Sequence, residues 1–149
     1  MTDDPIRLAT ADDVPRVKTV VDAAYHRYIA RMGRVPGPMR ADHAADVAAG
    51  KVFVTGDPVV GLVVLRTEAD HLYLDNIAVH PDAQGAGVGR RLLSFVEERA
   101  HELGLPEVRL LTHALMRENR AMYARYGYEV DERRTADDGE RVHYRKAVC

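Results

Sequence analysis

The chain has 149 residues, 46% of them hydrophobic and 30% charged, with a formal net charge of −2. That balance suits a folded globular domain and excludes both a disordered chain and a polycation built to coat nucleic acid or an anionic membrane. The one cysteine, Cys149, cannot pair within the chain or seed a thiolate metal cluster, so no metal is expected.

The opening MTDDPIRLAT carries neither a basic n-region nor an apolar h-region, and the sequence holds no apolar run of about 18 residues. The expected location is therefore the cytoplasm. No repeat or linker divides the chain, so one domain over residues 1–149 is expected.

PIRLAT alternates and predicts a first strand with Ile6 and Leu8 on one face. Thr10 or Asp12 can cap the helix that follows, and Pro15 favours Asp12 because proline then falls in the first turn. Val14, Val17, Val21, Ala24 and Tyr28 give that helix a buried face. RMGRVPGPMR interrupts with two glycines and two prolines. ADHAADVAAG predicts a short second helix, and KVFVTG and VVGLVVLRT two strands joined by the turn GDPV. DHLYLDNIAVHP predicts a strand stopped by Pro81. From Val88 the apolar positions Leu92, Val96, Ala100 and Leu103 take the helical period, and Gly104 closes the helix. EVRLLT predicts a strand, MRENRAMYARYG a helix ended by Gly127, and YEVDERR and RVHYRKAV a strand pair around DDGE. The order β-α-α-β-β-β-α-β-α-β-β implies an α/β (α+β) fold, a mixed sheet with helices packed on it.

The stretch VHPDAQGAGVGRRLL places Gly85, Gly87 and Gly89 between a strand and a helix. Glycine is costly in ordered structure and belongs where backbone turns sharply or approaches something closely. A dinucleotide fingerprint begun at Gly85 needs glycine where Arg90 stands, and begun at Gly87 it needs glycine at Leu92. A Walker loop fails at Arg90, Arg91 and Leu92. What remains is still an anion site. The first N–H groups of a helix lack partners, the helix dipole adds roughly half a positive charge there, and Arg90 and Arg91 can add charge-assisted contacts. A plain tight turn is the alternative.

The run IAVHPDAQGAGVGRRLL resembles the cofactor signature of the GNAT superfamily of N-acetyltransferases, Gln/Arg-x-x-Gly-x-Gly/Ala after a β-strand, with Gln84, Gly87 and Gly89 matching. The predicted element order resembles the GNAT fold from end to end. The resemblance implies a mixed, mostly antiparallel sheet flanked by helices and acetyl-CoA as acetyl donor. It also implies a diphosphate wrapped by Gln84, Gly85, Ala86, Gly87, Val88, Gly89 and Arg90.

By the same resemblance, backbone groups of Ile77, Ala78 and Val79 hydrogen-bond the cofactor, and the Val79 N–H holds the oxyanion. ENRAMYARYGYE resembles the family's late motif, in which Asn119 contacts the cofactor and Tyr123 points at its sulfur. A tyrosine of pKa near ~10 can protonate a thiolate whose conjugate acid is near ~8.5. Core packing is the competing account of Tyr123, and explains Tyr126 and Tyr128 well enough.

Asp75 shares a strand face with Ile77 and Val79, which makes it the candidate base toward the acceptor amine; an ion pair with an arginine is the alternative, and Asn76 should face the other way. His80, just before Pro81, is read as structural, and His113 is a weaker candidate for lining the site. The segment YHRYIARMGRVPGPMR is dense in aromatic and basic residues. Tyr25, Tyr28 and Arg31 fall near one helix face, and with Met39 and His43 they form the candidate acceptor pocket, favouring an aromatic or anionic group.

The leading expectation is direct acetyl transfer to a primary amine, with no covalent relay; the balanced charge favours a small molecule, with a peptide amino terminus and a protein lysine as the alternatives. A domain that binds acetyl-CoA or CoA without turnover is the alternative. No basic stripe with interleaved aromatics points to nucleic acid, and a homodimer stays open.

Overall fold

The computed structural model describes residues 4–136 and 139–148. Asp137 and Asp138, on which the expected DDGE turn rests, and Cys149 lie outside the described residues.

The strands are β1 (Ile6–Leu8), β2 (Val52–Thr55), β3 (Gly61–Thr67), β4 (Leu72–Val79), β5 (Glu107–His113), β6 (Glu129–Ala136) and β7 (Gly139–Ala147). The helices are α1 (Val14–Tyr25), α2 (Arg27–Met32), α3 (His43–Ala48), α4 (Val88–Glu102) and α5 (Arg117–Arg125), with 3-10 turns at Ala11–Asp13, Gly37–Arg40 and Pro81–Ala83. Hydrogen bonding orders the strands β1-β2-β3-β4-β5-β7-β6. The expected mixed, mostly antiparallel sheet with helices is what the chain forms. The backbone groups into two compact units, one running up to Leu65 and including Asn76–Phe95, the other comprising Arg66–Asp75 and the chain from Val96 onward.

In the first unit β2 pairs antiparallel with β1 (Ile6↔Thr55) and with β3 (Val52↔Val64, Thr55↔Gly61). Residues 61–65 of β3 are all buried, as a continuous Gly-Leu-Val-Val-Leu run should be when both faces are covered. Gly61 is there for room. A Cβ at that position would lie 2.8 Å from Val88 Cγ1, 3.1 Å from Leu92 Cδ1 and 3.5 Å from the Ala78 carbonyl oxygen. The first turn of α4 thus rests directly on β3 and beside the end of β4.

Several expectations fail locally. Of the two residues placed on one face of β1, Ile6 is half-buried and Leu8 exposed, in a three-residue strand that pairs with β2. Thr10, not Asp12, stands at the start of the helical segment. Its N–H donates to Asp13 Oδ2 at 2.8 Å, and a 3-10 turn precedes α1, whose second residue is Pro15. The first expected helix divides at His26 into α1 and α2, and α2 ends at Gly33, whose φ of +73° suits only glycine without strain. Val17, Val20, Val21, Tyr25 and Tyr28 form the buried face, while Val14 and Ala24 are half-buried. Leu103 falls beyond α4 and is exposed.

In the second unit β4 pairs parallel with β5 at Leu72↔Val108 and Tyr73↔Arg109. Strand β7 lies between β5 and β6, antiparallel to both, with a register irregularity between Val130 and Glu132. All eight residues of β6 are exposed, five of them charged, as an edge strand must be to avoid pairing with strangers. Gly104 and Gly127 close α4 and α5 at positive φ, each followed by an N–H that reaches back five residues, Leu105 to the Ala100 carbonyl and Tyr128 to the Tyr123 carbonyl.

Candidate active site

Strand β4 has its last four residues, Asn76–Val79, in the first unit, and the glycine loop follows them at once. Leu72, Leu74, Asn76 and Ala78 are buried along one face, while Tyr73, Asp75 and Val79 are the more open positions of the other. Pro81–Ala83 forms a 3-10 turn capped by His80, whose Nδ1 accepts the Asp82 N–H at 3.1 Å. His80 also donates its backbone N–H to the Val60 carbonyl at 2.8 Å, so its work is structural. Gln84 folds back, its Nε2 donating to the Val79 carbonyl at 3.3 Å.

Gly85 and Gly87 have φ of +87° and +83°, and no atom lies within 4 Å of where a Cβ would stand on either. Their glycine identity is thus set by backbone conformation here, and the space beside them is open. Gln84, Gly85, Ala86 and Gly87 are exposed, Gly89 is half-buried and Arg90 is exposed, while Val88 is buried against Gly61. The first N–H groups of fifteen-residue α4 therefore follow an uncovered backbone cradle. Arg91 is not part of it. Its Nη1 donates to the Asp4 carbonyl at 2.9 Å and its Nη2 to Thr55 Oγ1 at 3.5 Å, which ties α4 to the start of the described chain.

Also in the first unit, Tyr25 is buried and its hydroxyl is 2.8 Å from Asn76 Oδ1 and 3.1 Å from the Ile77 carbonyl oxygen. Asn76 faces away from Asp75, as expected, and this bond shows what it faces. The Tyr25 and Tyr28 rings lie 6.0 Å apart, and the guanidinium groups of Arg27 and Arg31 stand 5.0 and 5.2 Å from the Tyr28 ring centre. The chain thus brings Tyr25, Tyr28 and Arg31 into one cluster. Met39 lies half-buried on the 3-10 turn that packs against α1. His43 is buried at the start of α3, and neither ring nitrogen has a hydrogen-bond partner among the described residues. Burial, and then the nearby Lys18 charge, push its pKa below the usual histidine value, against the opposite pull of Asp46, Asp22 and Asp42.

In the second unit Tyr123 of α5 is buried, its ring 5.6 Å from that of Tyr144 and 6.1 Å from that of Tyr128. Tyr128 donates to Glu97 Oε2 at 3.0 Å, and Lys146 Nζ holds the other oxygen at 2.9 Å. Burial beside that carboxylate raises the Tyr128 pKa far above the usual phenol value, so it is a fixed packing residue and no rival as acid. Asn119 is half-buried near the start of α5, its Nδ2 3.9 Å from Met116 Sδ. His113 is buried, its Nδ1 accepts the Leu115 N–H, and its ring lies where a side chain on Gly139 would fall. Asp75 is paired: Arg66 Nη1 reaches its two oxygens at 3.0 and 3.3 Å, donates from Nε to Glu68 at 2.7 Å, and stacks 4.6 Å from the Tyr73 ring centre.

Two contributors escaped the sequence reading. Gly61 had a visible signal, a lone glycine inside VVGLVV, since an isolated glycine in a strand often marks close backbone approach. The stacking of Arg27 on Tyr28 had none. Among the described residues no group of three or more His, Cys, Asp or Glu is disposed to hold a metal, and no helix is long and apolar enough to cross a membrane.

An open glycine cradle running from the end of a strand into a long helix is a backbone arrangement suited to an anion. The family model for the acetyltransferase (GNAT) domain matches residues 48–130, more than half of the chain, and the chain belongs to that family. A 61-residue stretch is 34% identical to the D-amino-acid N-acetyltransferase HPA3 of Saccharomyces cerevisiae. It covers 41% of this chain and 38% of that enzyme, so the match spans well under half of the curated relative's length. The PaiA N-acetyltransferase of Thermoplasma acidophilum, solved with coenzyme A, shares the fold with a TM-score of 0.79 at 17% identity, over 96% of this chain and 98% of that one. The ribosomal-protein-S18-alanine N-acetyltransferase of Escherichia coli does so with a TM-score of 0.71 at 19% identity, over 97% and 94%.

Proposed function

We propose that the protein is an acetyl-CoA-dependent N-acetyltransferase, one catalytic domain over residues 1–149, that acetylates a primary amine of a small molecule by direct attack. The observation that carries this reading is the open backbone of Gly85 and Gly87 leading into α4, in a chain of the GNAT family. Gln84 to Arg90 hold the diphosphate of the donor: backbone N–H groups supply the hydrogen bonds, glycine leaves room, and Arg90 adds charge. Acetyl-CoA, when bound, would supply the acetyl thioester, and this chain's groups orient it. The backbone of Ile77 and Ala78 holds the donor's arm, and the Val79 N–H stabilises the oxyanion that develops on attack. The pairing of β4 with β5 at Leu72 and Tyr73 lies at the other end of the strand from these groups.

Asn119 orients the donor, and Tyr123 gives its hydroxyl proton to the departing thiolate. The aromatic packing of Tyr123 supports this by fixing its ring while Tyr128 is committed to Glu97. Asp75 takes the ammonium's proton through water, a modest role because Arg66 competes for both its oxygens. Tyr25, Tyr28, Arg31, Met39 and His43 belong to the acceptor side. A small acceptor is supported by the yeast relative, which is named for D-amino acids.

The test is calorimetric titration of acetyl-CoA into the purified protein, followed by an amine-library assay for free thiol. Binding with amine-dependent thiol release establishes the transferase. Binding without release from any amine favours a non-catalytic coenzyme A sensor, and no binding reduces the glycine loop to a turn.

A further inference from the structure

We propose that the acceptor carries an oxyanion group, a carboxylate or phosphate, beside its amine, and that Arg27 and Arg31 of α2 receive it. This rests on the transferase reading above and names the substrate class of that same site.

The charge pattern is local. From Ala23 to Ala41 the sequence holds His26, Arg27, Arg31, Arg34 and Arg40 and no Asp or Glu, although acidic residues outnumber basic ones over the whole chain, 23 to 21. Arg27 and Arg31 are spaced i, i+4, where like charges repel. They are nevertheless drawn to one ring, their guanidinium groups 5.0 and 5.2 Å from the centre of Tyr28, and Arg27 Nη2 also donates to the Tyr28 hydroxyl at 3.2 Å. Tyr28 is 1% exposed, so this ring is fixed in the core, while Arg27 is exposed and Arg31 half-exposed. Each guanidinium is anchored at that rigid ring, and its forked N–H donors are of the kind that pair with an oxyanion.

The pair is also in the right place. The Tyr28 ring lies 6.0 Å from that of Tyr25, whose hydroxyl donates to the Ile77 carbonyl, two residues before Val79. Two buried tyrosines therefore link the arginines rigidly to the strand end where the oxyanion donor is proposed, and all of these groups lie within one compact unit. A charge recognised there orients the amine beside the reacting carbon.

The experiment compares matched amines, alanine against alaninamide and O-phosphoethanolamine against ethanolamine, by initial rates of thiol release. The amide's amine is the less basic of its pair, so that bias runs against the expectation. The wild-type kcat/KM should favour the anionic member of at least one pair by about tenfold or more, and the pair that responds tells carboxylate from phosphate. In R27Q and R31Q that ratio should fall toward one through KM, and R27K and R31K should restore part of it. Equal use of anionic and neutral amines in both pairs, or a ratio unchanged by the variants, overturns the inference. If no amine releases thiol, the transferase reading fails separately. Calorimetric binding of alanine or O-phosphoethanolamine to the coenzyme A-loaded protein then decides: binding lost in R27Q and R31Q sustains the arginine site, and no binding overturns it.

Discussion

Replacing Gly61 by alanine tests how the glycine cradle is held in place. The new methyl would sit 2.8 Å from Val88 Cγ1 and 3.1 Å from Leu92 Cδ1, both closer than ordinary van der Waals contact, and 3.5 Å from the Ala78 carbonyl oxygen, which is tolerable. Val88 must withdraw by about half an ångström or more, and it opens α4 directly after the loop. Overpacking of this kind costs ~1–3 kcal/mol, and the entropy gained by losing a glycine offsets ~0.5–1 of it. Gly61→Ala should therefore destabilise the protein by ~1–2 kcal/mol in urea denaturation and weaken coenzyme A binding in calorimetry. Val88→Ala removes the nearer obstruction. It should cost ~1–2 kcal/mol alone through its cavity, and the double variant should be more stable than the sum predicts by about 1 kcal/mol. Strict additivity, or a Gly61→Ala protein with unaltered stability and affinity, would refute the idea that β3 sets the start of α4.

Gly89→Ala, in the first turn of α4, should leave stability unchanged or slightly raised, since alanine is the better helix former, yet lower coenzyme A affinity about tenfold; unchanged affinity in calorimetry would sink the phosphate assignment. Gly87→Ala should cost ~1–2 kcal/mol for its φ of +83° with no steric clash, and should also weaken binding. Tyr123→Phe should slow turnover about tenfold or more while the donor's Kd moves little, and an unaltered kcat would make Tyr123 a packing residue only. For His43 the sign follows from its lowered pKa: the unfolded chain takes up the proton first, so stability should fall as pH drops below ~6.5 and be insensitive to this group above it. His43→Leu should flatten that slope in denaturation curves at pH 5.5 and 7.5 and cost nothing at the higher pH, since both buried nitrogens lack partners among the described residues; an undiminished slope would rule His43 out as its source.

What could be read from residues alone was the part with strong local signals. The helical period from Val88, the glycines that end α4 and α5, and the run Gln84–Gly89 each identify themselves within a few residues. The order of the last strands was not legible, because the placing of β7 between β5 and β6 depends on pairings such as Leu110↔Tyr144, far apart in sequence. The division at His26 was hidden because its backbone stays helical and only the bonding changes. The exposure of Leu8 was not legible, because a short strand's alternation does not say whether anything covers it. Around the site, residue types suggested candidate groups and an arginine partner for Asp75, but not which arginine holds it, that Gln84 folds onto Val79 or that His43 is sealed in.

The position of β7 bears on how the chain is made. Strand β6 emerges from the ribosome before the strand that bonds to it, and it has nothing to pair with until residues 139–147 follow. During that interval β5 also lacks its antiparallel neighbour, so this part of the sheet closes in one late step rather than strand by strand. Glu129, Asp131, Glu132, Arg133 and Arg134 keep the waiting segment hydrated and discourage it from joining other nascent chains. Translation that stalls before residue 139 would thus leave two strands without their shared partner, and such products should be cleared by proteolysis rather than accumulate as a folded fragment.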